Sequence, residues 1–220
     1  METPPAGRRV TKAIRAQVRT AVRVLECGGV VSLPTETLYG LAASAQSEQA
    51  VERLFRIKGR PRNKPLPLLL ADPADISNYA LGVPEVATRL VERFFPGPLT
   101  LVLRSADNVA KAVTAGMSTV AVRVPDHWVP REVVRALGAP ITGTSANRSG
   151  MPALTSAEAV RMQLGGDIDY VVDAGHSPGG VASTIVDVTG AMPVVLRVGA
   201  VSIQEIEDAC GTAVATVNTR

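Results

Sequence analysis

The chain has 220 residues, 46% of them hydrophobic, which is enough for one substantial core, and no Ser/Gly tract or charge block divides it, so one compact domain is expected. A net charge of +3 and an aromatic content of 3% suit a concave site for a small anion better than the base-stacking platform of a single-strand RNA binder. No run approaches the ~18 to 20 apolar residues of a membrane span, Met1 to Arg9 lacks the apolar stretch of a signal peptide, and the widely spaced Cys27 and Cys210 point to reduced thiols in the cytoplasm.

Residues 1–9 read as a loose tail, 10–212 as the domain and 213–220 as a C-terminal tail. Val10, Ile14, Val18, Val22 and Leu25 recur at helical spacing between Lys12, Arg15, Arg19 and Arg23, and Gly28-Gly29 closes that helix. A short apolar strand, Val30 to Leu33, runs into Pro34-Thr35-Glu36-Thr37-Leu38-Tyr39-Gly40. Pro34 ends the strand and Gly40 allows close backbone approach, so the turn presents hydroxyls, a carboxylate and a phenol at a strand end. Open α/β sheets bind their ligands at such ends. A second helix starts at Ser47-Glu48 and stops at Gly59. Strands are expected at Leu66 to Ala71, Leu99 to Leu103, Thr119 to Val124, Tyr170 to Val172, Ser183 to Val188 and Val194 to Val198. Helices are expected at Pro84 to Phe94, Pro130 to Leu137, Ser156 to Leu164 and Ile203 to Ala209. Thr155 with Glu158, and Ser202 with Glu205, have the spacing of capping boxes. Strands and helices alternate at first and strands then crowd together, which predicts an α/β fold with a twisted, mixed open sheet and flanking helices.

Lys58-Gly59-Arg60-Pro61-Arg62-Asn63-Lys64-Pro65 places four cations within seven residues at a helix end. Cations there gain roughly 0.3 to 1 kcal/mol from the helix dipole, so a solvated cap is one explanation. The stiffening prolines favour the other, rigid cations for a polyphosphate. Phe95-Pro96-Gly97-Pro98-Leu99-Thr100 reads as a structural turn. Arg123 interrupts the apolar strand Val120 to Val124, which calls for an anionic partner, either a local carboxylate or the carboxylate of a substrate. Thr142 to Gly150 is dense in hydroxyl and amide groups of the kind that turns use and that phosphate or ribose also binds. Ser183-Thr184 opens a strand, and Arg197 interrupts another. The phosphate loop GxxxxGK[ST], GxGxxG, HExxH and GxSxG are absent from the sequence, and His127 and His176 sit in loops as surface residues. Catalysis is therefore expected from positioning and electrostatics, without a covalent nucleophile and without protein metal ligands.

Taken in order, PTETLYGL, KGRPRNKPL, FPGPLT, VAVRVP, TSANRSG, STIVD and LRVG resemble the YrdC family of threonylcarbamoyl-AMP synthases, across roughly Ala13 to Ser202. Each motif alone is weak, but seven in one order are specific. The resemblance implies a YrdC-like fold and an enzyme that combines L-threonine, bicarbonate and ATP, with Mg accompanying the ATP, into threonylcarbamoyl-adenylate and pyrophosphate. It also implies hand-off to a separate transferase that modifies adenosine 37 of tRNAs reading ANN codons, with possible contact to the tRNA itself. It assigns Thr35, Arg123, Ser145 and Ser183 to threonine, and Lys58, Arg60, Lys64, Thr119, Asn147, Thr155 and Arg197 to ATP, with Lys58 and Arg60 catalytic. Some relatives carry a His at the position of Leu69, whose side chain cannot hydrogen-bond. Longer members add a C-terminal domain, and this chain reads as the single-domain form. Two other readings stand beside it, a tRNA or double-stranded RNA binding module and a carbamoyl-handling enzyme like the YrdC-like part of hydrogenase maturation factors.

Overall fold

The structure, a computed structural model, describes residues 10–217, so the expected N-terminal tail lies outside the described residues. Helix α1 (Lys12–Glu26) begins at Thr11, whose hydroxyl accepts from the Ile14 N–H, and buries Val18, Ala21, Val22 and Leu25. It is followed by β1 (Val31–Pro34) and β2 (Tyr39–Ala42), then by α2 (Glu48–Lys58), which is capped by Ser47 and closed by Gly59 in the left-handed region, φ 61°. Next come β3 (Leu68–Leu69), a 3-10 turn over Pro73–Asn78, β4 (Ala80–Leu81), α3 (Glu85–Phe94) and β5 (Leu99–Ser105). The chain continues through α4 (Lys111–Thr114), β6 (Thr119–Arg123), α5 (Trp128–Leu137), β7 (Ile141–Thr142), β8 (Thr144–Ser145) and α6 (Ala157–Leu164). It ends with β9 (Tyr170–Val171), β10 (Thr184–Asp187), β11 (Val194–Arg197), α7 (Ile203–Cys210) and β12 (Ala215–Thr216).

The strands form two mixed sheets rather than one. The first has the order β8-β2-β1-β9, antiparallel except for β1 with β9; the second runs β12-β11-β10-β5-β6-β3-β7, with β4 against β5. An isolated Ser44–Ile141 bridge and the Thr142 N–H bond to Ala43 O, 2.8 Å, join them. One core cluster holds Leu54, Phe55, Leu101, Val122, Val186 and Ile206; a second holds Val22, Leu33, Leu69, Val133 and Ile141 between α1, α5 and the strands. In β6 the buried Val120 and Val122 alternate with Thr119, Ala121 and Arg123 on the opposite face. Near β3 that opposite face is covered by α5, while Val102, Ala121 and Ile185 remain half-exposed on it.

Several local expectations change. The strand read over 66–71 pairs only at Leu68–Leu69. Ser202 and Glu205 do form a reciprocal capping box, but α6 is capped by Ser156, which accepts from Ala159 N, and not by Thr155. Ala215–Thr216, within the stretch read as a C-terminal tail, pairs in parallel with Val194–Val195. His127 does stand in a loop, partly exposed, but it has a task there: its Nδ1 accepts from Val129 N at 3.2 Å and caps α5.

Candidate active site

The turn after β1 is built by its hydroxyls. Pro34 pairs with Tyr39, and the Thr35 N–H bonds Leu38 O at 3.1 Å. The Thr35 hydroxyl accepts from the N–H groups of Thr37 and Leu38, both at 3.1 Å, and lies 2.7 Å from Leu38 O and 2.8 Å from Thr37 Oγ1. It is thus committed to shaping the turn. A segment between β9 and β10 straps the outside: Gly179 N and Gly180 N donate to the carbonyls of Glu36 and Thr37 at 3.1 and 2.9 Å, and Tyr39 Oη donates to Gly175 O at 2.7 Å. A Cβ on Gly179 would stand 2.8 Å from Glu36 O, so only glycine allows this approach.

Arg123, at the end of β6, reaches into the turn from the second sheet. Its Nη2 donates to Glu36 Oε1 at 2.6 Å and to Thr37 Oγ1 at 3.0 Å, and its Nε donates to Gly97 O at 3.1 Å. The local carboxylate is therefore real, and the Phe95–Leu99 turn, read as merely structural, helps to hold the guanidinium. A guanidinium carries five N–H donors, and among the described residues Nη1 donates to none. Leu69 pairs with Arg123 in register, which sets an apolar side chain beside it on the same face.

A second group forms around Lys58, whose side chain is 4% exposed. Its Nζ lies 2.5 Å from Ser145 O, 3.2 Å from Ser145 Oγ, 2.9 Å from Asn147 O and 2.9 Å from Asn147 Oδ1. Four oxygens exceed the three donors of an ammonium, so Lys58 organises this loop and acts on anything beyond it through its charge. Ser145 Oγ in turn donates to Asn147 Oδ1 at 2.6 Å, and Asn147 Nδ2 donates to Met151 O. Arg60 closes its own loop, with Nε to Lys64 O at 3.0 Å and Nη2 to Pro65 O at 2.8 Å. A third group joins Arg197 to Ser183, with Nη2 2.8 Å from its carbonyl and 3.2 Å from its hydroxyl; that hydroxyl is 2.9 Å from Thr100 Oγ1.

These groups share one electrostatic field. Burial, followed by the charge of Arg60, lowers the Lys58 pKa from 10.5 to about 8. Burial and then Arg197 lower that of Arg60, and partial burial and then Arg123 lower that of Arg197. Lys58, Arg60, Arg197 and Arg123 thus sense one another as a chain of like charges, an arrangement that an anion relieves. Of the carboxylates, Glu36 pairs with Arg123, and the carboxyl of Asp126 is pushed up by burial and by Glu36, with Arg131 opposing.

The remaining expected residues stand further out. Lys64 is exposed, and only its carbonyl is engaged with Arg60. Thr155 is half-buried and accepts from Ser177 N through its carbonyl. Thr119 lies at the opposite end of β6 from Arg123, beside Arg104, and four residues of strand place the two about 13 Å apart. The motif reading missed Glu36, Thr37, Gly97 and Thr100 as partners of the site. The acidic residue between two threonines was the available signal for Glu36, whereas Gly97 and Thr100 sit in a motif that accounts for itself as a turn.

The Sua5/YciO/YrdC family model, described as telomere recombination, matches residues 23–199. The chain is 42% identical over 195 residues to a Pyrococcus abyssi protein named threonylcarbamoyl-AMP synthase, a match covering 89% of this chain and 57% of that protein. It superposes on a crystal structure of P. abyssi Sua5 complexed with L-threonine with TM-score 0.88 and 40% identity, over 91% of this chain and 58% of that one. E. coli YciO aligns with TM-score 0.80 and 28% identity, over 88% of this chain and 93% of its own. The chain therefore spans little more than half the length of the P. abyssi relatives, 57% and 58%. Among the described residues no helix is long and apolar enough to cross a membrane.

Proposed function

The chain belongs to the Sua5/YciO/YrdC family, and from that premise we propose that it makes L-threonylcarbamoyladenylate from L-threonine, bicarbonate and ATP, releasing pyrophosphate for the tRNA modification described above. The observation that carries this reading is the chain of like charges that runs from Lys58 through Arg60 and Arg197 to Arg123, which ends at the turn after β1. The P. abyssi structure complexed with L-threonine supports an amino-acid subsite.

In this reading the amine of threonine attacks the bicarbonate carbon, and water leaves to give a carbamate. A carbamate oxygen then attacks the α-phosphorus of ATP, and the bond to the β-phosphate oxygen breaks. No protein nucleophile takes part. Arg123 takes the threonine carboxylate, with Leu69 offering apolar contact where some relatives place a His. Arg60, Arg197 and the field of Lys58 meet the triphosphate, whose charge grows on the departing pyrophosphate as the carbamate attacks. Ser145, Asn147 and Ser183 are fixed by these cations and line the path between the two ends. Thr119, on the same face of β6 as Arg123, defines a ligand extending along the strand, with Thr155 and Lys64 at the margins. Mg arrives on the triphosphate, since the side chains around it are mainly cations and neutral oxygens. The product passes to a separate transferase, and tRNA contact is a further part of the proposal.

The test mixes the protein with ATP, L-threonine and labelled bicarbonate. A labelled adenylate should appear, and pyrophosphate release should require threonine and bicarbonate together. ATP turnover indifferent to threonine, or steeply salt-dependent tRNA binding with no threonine-dependent chemistry, would overturn the assignment.

A further inference from the structure

Glu36 uses only one of its carboxylate oxygens. Oε1 accepts from Arg123 Nη2, whereas Oε2 is buried without a hydrogen-bond partner among the described residues. Buried carboxylate oxygens are rarely left in that condition. The side chain is 16% exposed, and its backbone is clamped on the outside by Gly179 N and Gly180 N, so the carboxylate is held in place before any ligand arrives. The neighbouring groups favour a cation there. Asp126 carries a carboxyl pushed up by burial and then by Glu36 itself, so Glu36 faces a second acid as well as Arg123.

An α-amino acid places an ammonium and a carboxylate on one carbon. Arg123 and Glu36 present the complementary pair side by side, with the Nη1 edge of Arg123 and the Oε2 of Glu36 both unengaged by the described residues. We infer that Glu36 is a specificity-determining residue that reads the substrate ammonium through Oε2 while Arg123 reads the carboxylate. The inference rests on the synthase reading and adds to it a reason for amino-acid selectivity. Arg123 alone would accept any small carboxylate. A ligand lacking the ammonium leaves Oε2 without a partner, as it is in the free protein, so only an α-amino acid gains that contact, and sites built around a hydrogen bond reject analogues that cannot make it.

Calorimetry without ATP tests this, using L-threonine and the 3-hydroxybutanoic acid of threonine's C3 configuration, which keeps the carboxylate and side-chain hydroxyl but carries neither an ammonium nor any other donor at C2. The wild-type protein should prefer threonine by about 10-fold to 150-fold, the range for one charged hydrogen bond. Glu36→Gln keeps an oxygen for Arg123 and should bring the ratio of the two affinities close to one; Glu36→Asp should retain part of the preference. A purely structural role would weaken both ligands together and leave the ratio unchanged. Equal binding of both ligands by the wild type overturns the inference, whatever the variants do, as does a folded Glu36→Gln protein with the wild-type ratio. Binding of neither ligand by the wild type overturns the synthase reading and this inference with it, whereas threonine binding with an unselective ratio overturns only this one.

Discussion

Raising the pH from 7 to 9 removes one charge from the cation chain without changing an atom of the fold. In the free protein Lys58 titrates at about 8 instead of 10.5, because it is buried and faces Arg60. At pH 9 it is then only about one-tenth charged. A triphosphate bound among Lys58, Arg60 and Arg197 supplies the missing counter-charge and draws that lysine back toward its ordinary value. ATP binding should therefore take up a proton between about pH 8 and 10.5, and affinity at pH 9 should be about tenfold weaker than at pH 7, or about 1.4 kcal/mol. Calorimetry with ATP alone, in paired buffers of different ionisation heat, measures both quantities. Lys58→Met should bind ATP weakly with no such pH dependence. For the free protein the sign is the reverse of a salt-bridged lysine. The folded chain holds fewer protons than the unfolded one across this window, so the stability contribution of Lys58 rises with pH from about 8 to 10.5 and its cost is fully present below about 8. ATP affinity flat from pH 7 to 9 with no proton uptake would refute the coupling of Lys58 to the bound phosphates.

Other outcomes follow from the same geometry. Arg123→Ala should raise the threonine concentration for half-maximal rate by about 10-fold to 150-fold and cost about 3–5 kcal/mol in stability by stranding Glu36; steady-state kinetics and thermal melts check both, and a folded variant with an unchanged threonine response reduces Arg123 to the ion pair with Glu36. Arg60→Ala should lower the maximal rate more than it changes the ATP requirement, and Arg60→Lys should rescue only partly because an ammonium cannot reproduce the fork that grips Lys64 and Pro65. Arg62→Ala is the control, since Arg62 pairs with Glu52 and lies over the Phe55 ring; equal damage there would make bulk positive potential the better account. Replacing exposed Cys27 and buried Cys210 by Ala should leave turnover within a few-fold of the parent and lower stability by about 1 kcal/mol, whereas loss of activity in a folded double variant would reveal a thiol role.

Elements with local signals were legible in the sequence. Ser47 and Gly59 bound α2 as expected, and Ser202 with Glu205 caps α7. Thr155 was mistaken for a cap because it and Ser156 both carry hydroxyls; the extended backbone of Ser156, φ −136°, ψ 151°, decides between them, and a motif cannot supply that angle. The strand β2 was hidden by Gly40, which lowers strand propensity yet has a Cβ position only 3.3 Å from Thr144 O, a close approach that pairing with β8 imposes. The place of Arg123 in an apolar strand showed that it needs an anionic partner, local or substrate, but not that Glu36 is the local one, because Glu36 meets it only through the joining of two sheets. The split of one expected sheet into two is of the same kind, set by long-range pairing that strand patterns leave open.

The interleaving of those sheets also governs how the molecule comes into being. Lys58 and Ser145 are separated by 87 residues along the chain, as are Glu36 and Arg123, and β1 must find β9 at Tyr170 to complete the first sheet. Contacts that close such long loops pay the entropy of closure before they gain anything, and topologies dominated by them fold slowly, on the order of milliseconds to seconds. The cation chain therefore depends on long-range contacts at both of its ends. No stretch shorter than that from Glu36 to Arg197 holds all of these groups, and the cations are brought together only where the two sheets meet.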